Sequence, residues 1–375
     1  MMRRRGFLAG PVVAGLAQGA VAAEAGRVLG TGDGMALSPV AYSELLHTLA
    51  GGVKADFFSL GGVVGEFEER MAAELGKEAA VWMPTGTLAN HMAVRMLAGE
   101  KRRVVVQGES HLFNDCGDCC QTLSGLHMIP MAMGRATFKV EEVEEWLARG
   151  AGGRVKVPIG AMQIETPVRR RTGEMFDFAE MQRMTAWARG KGIGLHLDGA
   201  RLYIAAAYGG RPVREYAAMF DTVYVSTYKY FNAASGAILA GPRKLLADLF
   251  HTRRMFGGGQ HEAWPFAAVA MHFQKGFAER LGRAVQCGEV VVSALAGERR
   301  LAVERRLAVE RVANGSNLFY LRVAGVDAAE YARKVSAAGL TLGAPVGGRF
   351  TVAVNETWNR ATPGEITGRF RAGLG

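Results

Sequence analysis

Five short apolar runs separated by helical stretches restrict the folds open to this chain more than any other feature. They are AAVWM (79–83), RVVVQ (103–107), PIGAMQIET (158–166), IGLHLD (193–198) and TVYVST (222–227), joined by HMIPM and GAILAG (236–241). Between them lie amphipathic stretches such as VEEVEEWLARG and FAEMQRMTAWARGKG, the second closed by glycine. GEFEERMAAELG, with Phe67, Met71 and Leu75 at helical spacing, precedes the first strand, and another helix is expected near Tyr42 to Leu49. A helical stretch is expected through Cys116, Cys119 and Cys120. Strands alternating with helices in this way require crossovers, which predicts an α/β fold: a mostly parallel sheet covered by helices on both faces.

From about Met255 the texture changes. GGGQHEAWPF reads as a hinge, a long helical stretch runs to about Gly297, and SNLFYLRV and RFTVAVN read as strands of a smaller C-terminal α+β domain. The expected organisation is a large domain over 40–255, followed by a hinge, helix and small domain over 256–375. The six-residue duplication ERRLAVERRLAVER (298–311) fits neither periodicity and is assigned to a surface element.

The N-terminus MMRRRGFLAG sets Arg3, Arg4 and Arg5 before a weakly apolar Gly/Ala run with A-x-A cleavage sites near Ala22 and Ala25. The pattern over 1–25 resembles a twin-arginine export signal, which implies a periplasmic or exported protein, with a cytoplasmic one as the alternative. The run is too short and broken for a membrane span. Net charge is +10, with ten Lys among 45 basic residues, but there is no basic tail or interleaved aromatic stripe. Nucleic acid is therefore not the expected partner, whereas a small acidic substrate or anionic cofactor suits the charge. CGDCC supplies three of the four cysteines and lies just after His111. Without a second ligand cluster no metal is expected, and the thiols are assigned to core packing.

Chemistry gathers at the carboxyl ends of strands in such sheets. MPTGTLANH opens a helix there, where Thr85, Gly86 and Thr87 offer hydroxyls and N–H groups as a phosphate seat or, equally, a plain N-cap. HLDGAR ends its strand in Asp198, with Arg201 three residues on. VYVSTYKYF closes on Ser226 and carries Lys229 in apolar company, where an ammonium is costly to desolvate. Asp198 and Lys229 lie one β-α-β step apart and so face a common cleft. A phosphate seat, an acid and a buried amine suit pyridoxal 5'-phosphate, which presents a phosphate, a protonatable ring nitrogen and an aldehyde that condenses with lysine.

These motifs together resemble the threonine aldolase/aromatic amino acid β-eliminating lyase family of fold-type I pyridoxal-phosphate enzymes, from about Glu66 to Gly241. LGKEAAVWMPTGTLANHMAV resembles the family's phosphate-binding strand and helix, and SHLF its motif with a histidine, here His111, over the cofactor ring. HLDGARLY is similar to the segment whose Asp pairs with the ring nitrogen and whose Arg receives the substrate carboxylate, here Asp198 and Arg201. VSTYKYFNAASGAILAG is similar to the lysine segment, with Gly236 seven residues after Lys229. The resemblance implies an aspartate-aminotransferase-like fold, a homodimer or homotetramer, and lyase chemistry on a small amino acid. Aldol cleavage of a β-hydroxy-α-amino acid to glycine and an aldehyde is the first expectation. Elimination of a β-substituent, a non-catalytic pyridoxal-phosphate-binding protein, and a metal-binding protein using His111 and the cysteines are the alternatives. Several substrate motifs differ: TGDGMALSP stands where the family has Arg-Ser-Asp-Thr, ETPVRRRTGE where it has Glu-Asn-Thr-His, and GGGQHEAW lacks an Arg. Arg349 stands out of register with the family's C-terminal carboxylate-binding Arg.

Overall fold

The computed structural model describes residues 26–297 and 306–375; the expected leader over 1–25 and residues 298–305 of the duplication lie outside them. In chain order the strands are β1 (Val28–Leu29), β2 (Ala79–Met83), β3 (Arg103–Gln107), β4 (His127–Met131), β5 (Ile159–Glu165) and β6 (Gly194–Asp198). They continue with β7 (Thr222–Ser226), β8 (Ala237–Gly241), β9 (Leu307–Arg311), β10 (Leu318–Val323), β11 (Leu340–Thr341) and β12 (Arg349–Ala353).

Seven strands form the large sheet in the order β2-β8-β7-β6-β5-β3-β4. Only β8 runs against its neighbours β2 and β7, and the other pairs are parallel. Every residue of β5, β7 and β8 is buried, which is why these runs are apolar without alternation. The mostly parallel α/β architecture expected from the sequence is the one observed. β3 lies between β4 and β5, so the chain reverses its direction across the sheet there. At such a switch point the loops diverge and leave a crevice at the strand ends.

The helices follow from their spacing. Val63, Val64, Phe67, Met71 and Leu75 form the buried face of the helix Gly62–Leu75, which packs beside β2. Full burial of one side chain such as Phe67 stabilises by roughly 1.5–3 kcal/mol. The helix Gly86–Ala98 lies across β5, β6, β7 and β8. Two expected helices are broken. The cysteine stretch is a pair of short helices, His111–Asn114 and Cys119–Ser124, parted by a tight turn at Cys116–Asp118. The three thiols therefore do not share one helical face. The long helical stretch is likewise two helices, Trp264–Gln274 and Phe277–Gly297.

The C-terminal part holds an antiparallel sheet ordered β12-β10-β9. β9 is the second half of the duplication, placed as an edge strand with only Leu307 buried. β1 pairs with β11, so Val28–Leu29 join this region. Among the described residues no helix is long and apolar enough to cross a membrane.

Candidate active site

β5, β6 and β7 end side by side, and the last residues of β5 and β6, Glu165 and Asp198, open onto a cleft of about 380 Å³. Thr85, Gly86, Thr87, His111, Asp198, Arg201 and Lys229 all line it, with Asn90, Glu165, Arg169, Tyr224 and Tyr228. Ser226 does not; it is fully buried at the end of β7, beside the Tyr224 phenol.

One corner is the N-terminus of the helix Gly86–Ala98. Thr85 is its N-cap, accepting a hydrogen bond from the Leu88 N–H at 3.2 Å. The first N–H groups of a helix have no partner within it, so those of Gly86 and Thr87 are left for an anion. A Cβ on residue 86 would lie 2.0 Å from the Tyr224 hydroxyl, so only glycine lets the backbone come this close.

Asp198 is held from behind. Its Oδ2 accepts from Asn90 Nδ2 at 2.7 Å and Gln163 Nε2 at 3.3 Å, and its Oδ1 accepts from the Ala200 N–H at 3.1 Å. Donation to the carboxylate fixes the Asn90 amide, whose Oδ1 faces His196 Nε2 at 2.8 Å; His196 Nδ1 faces Thr222 Oγ1 at 2.8 Å. Burial pushes His196 down to about 4, so the imidazole is neutral, donates from Nε2 to Asn90 and accepts from Thr222. A relay of uncharged groups thus aims a carboxylate into the cleft.

Lys229 approaches from the turn after β7. Burial, followed by repulsion from Arg201, brings its ammonium down to about 8 against the pull of Asp198, Asp33 and Glu165. Among the described residues no hydrogen bond or ion pair engages Nζ, which lies 5.4 Å from the Tyr228 ring centre. Arg201 is engaged instead: its Nε and Nη2 both reach Asp33 Oδ2 at 2.9 Å.

His111 begins its short helix against Glu165, whose Oε2 accepts the His111 N–H at 2.6 Å while Oε1 accepts the Arg169 N–H at 3.0 Å. Burial first, and then the charge of Asp198, raise Glu165 above the ordinary carboxylate range. His111 Nδ1 lies 3.3 Å from Cys116 Sγ, a contact that raises the imidazole against the opposing effect of burial.

The donor set fits pyridoxal phosphate. Unpartnered helix N–H groups suit its phosphate, a braced carboxylate its ring nitrogen, and an amine of lowered basicity its aldehyde. Residues 61–315 match the family model described as "Beta-eliminating lyase". The chain belongs to that family. An alanine racemase, TOXG, of Cochliobolus carbonum is 29% identical over 57% of this chain and 55% of its own. The low specificity L-threonine aldolase of Saccharomyces cerevisiae is 26% identical over 54% and 52%. The chain thus spans about half the length of these curated relatives. A solved protein of Exiguobacterium sp. 255-15, provisionally named an aromatic amino acid β-eliminating lyase/threonine aldolase, superposes with a TM-score of 0.75 over 94% of this chain and 98% of its own. At 23% identity that likeness concerns the fold.

Within this β-eliminating lyase fold, sequence reasoning missed Asn90, His196, Glu165, Arg169 and Asp33. Asn90 and His196 stand inside MPTGTLANH and HLDGAR, and only the packing of a helix on β6 makes them a relay. Asp33 lies in the segment that departs from the family's N-terminal motif, yet it reaches Arg201 across 168 positions. Arg349 does not line the cleft; its guanidinium stacks 3.7 Å from the Tyr320 ring centre. Among the described residues no three His, Cys, Asp or Glu side chains could hold a metal ion.

Proposed function

We propose that this chain is a pyridoxal-phosphate-dependent lyase that cleaves a β-hydroxy-α-amino acid of the threonine kind to glycine and an aldehyde. The observation that carries this reading is the convergence of Lys229, Asp198, His111, Arg201 and the Gly86–Thr87 N–H groups on one cleft. The names of the aldolase relatives support the choice of reaction.

When bound, pyridoxal phosphate supplies an electron-accepting ring that stabilises negative charge at the substrate Cα. The remaining work belongs to side chains. Gly86 and Thr87 N–H groups hold the phosphate. Asp198, braced by Asn90, keeps the ring nitrogen protonated. Lys229, whose amine is brought down to about 8, would hold the aldehyde. Arg201 gives Nε and Nη2 donors to Asp33, and its remaining N–H groups would receive the substrate carboxylate. Cleavage needs a proton taken from the β-hydroxyl, and His111 Nε2 serves, since Nδ1 faces Cys116.

The racemase relative favours a second reading, proton transfer at Cα of alanine. Purified chain given pyridoxal phosphate should gain a visible absorption band that Lys229→Ala lacks, and should release acetaldehyde and glycine from L-threonine or L-allo-threonine. Conversion of L- to D-alanine without aldehyde would select the second reading, and pyruvate with ammonia from serine would select β-elimination. No band in the wild type would overturn all three. Export through the residue 1–25 leader and homo-oligomerisation belong to this reading, tested by leader-fusion secretion and light scattering.

A further inference from the structure

Behind the cleft, the chain between the helices His111–Asn114 and Cys119–Ser124 turns sharply. The Cys119 N–H donates to the Cys116 carbonyl at 3.3 Å, and the two intervening residues, Gly117 and Asp118, have φ of 58° and 51°. Such a turn holds its first and fourth Cα atoms within about 7 Å, where a disulfide spans about 4.4–6.8 Å. Both side chains are half-buried against the same apolar cluster. Cys120, by contrast, is buried in an apolar cluster with Val94, Leu112 and Leu126. Cys116 Sγ also lies 3.3 Å from His111 Nδ1 and 3.7 Å from Thr87 Oγ1, both on residues that line the cleft.

We propose that Cys116 and Cys119 are a thiol-oxidation site: a peroxide closes them into a disulfide, and closure weakens the hold on pyridoxal phosphate. The coupling rests on the functional reading above; the disulfide does not. In the first step one cysteine sulfur attacks a peroxide oxygen, so that an S–O bond forms, the O–O bond breaks and water leaves. The second sulfur then attacks the first, forming S–S, breaking S–O and releasing a second water with the remaining thiol proton. Two thiols lose two electrons and the peroxide gains them. Oxidation removes the Cys116 S–H and draws Sγ toward Cys119, away from His111 and Thr87. The Cys119 neighbour and burial hold Cys116 above the ordinary thiol range, while Cys119, lowered by Cys116, is held up by Cys120 and burial, so the reaction is slow and needs sustained exposure.

The test treats the full chain with hydrogen peroxide, then maps peptides by mass and titrates pyridoxal phosphate by absorbance. The expected result is a linked Cys116–Cys119 peptide, two of the four thiols lost, and a dissociation constant raised about fivefold. Dithiothreitol should reverse both changes, and Cys119→Ser should keep its affinity after peroxide. Absence of the linked peptide, or an oxidised chain binding as tightly as the reduced one, overturns the proposal. If the reduced chain itself binds no pyridoxal phosphate, the functional reading falls and the coupling with it, while the peptide masses still decide the disulfide.

Discussion

Lys229 joins two conditions rarely met by one side chain: an amine shielded from water and a cation, Arg201, facing it. Both disfavour the charged form, and only the uncharged amine attacks an aldehyde. Capture of pyridoxal phosphate by the cofactor-free chain should therefore accelerate as pH rises toward about 8 and level off above it. Stopped-flow absorbance across pH checks this; acceleration continuing to about pH 10.4 would mark an unperturbed lysine. The Asp198 relay gives a second test. Asn90→Ala removes a hydrogen bond to a buried carboxylate, worth about 1.5–3 kcal/mol. Cofactor affinity should fall about tenfold or more, measured by titration, while the neutral His196 adds no pH dependence near neutrality.

Elements bring these residues to the cleft by their ends rather than their middles. Gly86 begins its helix against the Tyr224 phenol, so Gly86→Ala should cost about 1–3 kcal/mol and weaken phosphate binding. A thermal melt and a cofactor titration should both record the loss. At the end of β5, Glu165 sets the start of the His111 helix, and its basicity is raised in the folded state. A raised folded-state value means that the folded chain binds the proton more tightly than the unfolded one. Its contribution is complete below the unfolded value of 4.5 and drains away as pH rises through the folded one. Glu165→Gln should flatten that loss in a series of melts between about pH 5 and 8. Strand and helix identities were largely legible because apolar periodicity is a local signal. The break at Gly117–Asp118 was not, because helical spacing of the cysteines says nothing about two consecutive left-handed residues.

At the scale of the whole molecule, the segment after β1 ties the C-terminal sheet to the cleft. Asn355 Nδ2 donates to the carbonyls of Leu29, Thr31 and Gly32, and the strap then delivers Asp33 to Arg201. A Cβ at residue 34 would lie 2.4 Å from the Lys229 carbonyl, so the strap is seated directly on the Lys229 turn. Asn355→Ala should release it, raising KM for the amino acid several-fold while kcat changes less, since Arg201 is misplaced but Lys229 is not. Steady-state kinetics separates the two effects. The sequence by itself determined the alternating architecture and placed Lys229, Asp198 and the helix start over 85–87 at strand ends. Each is written in a contiguous motif whose strand end places it without reference to distant parts. Only the tertiary structure decided that Asp33 holds Arg201, that Asn90 and His196 brace Asp198, and that Cys116 touches His111. All but the last of these contacts join residues more than a hundred positions apart, and the last depends on a turn of chirality that composition does not encode.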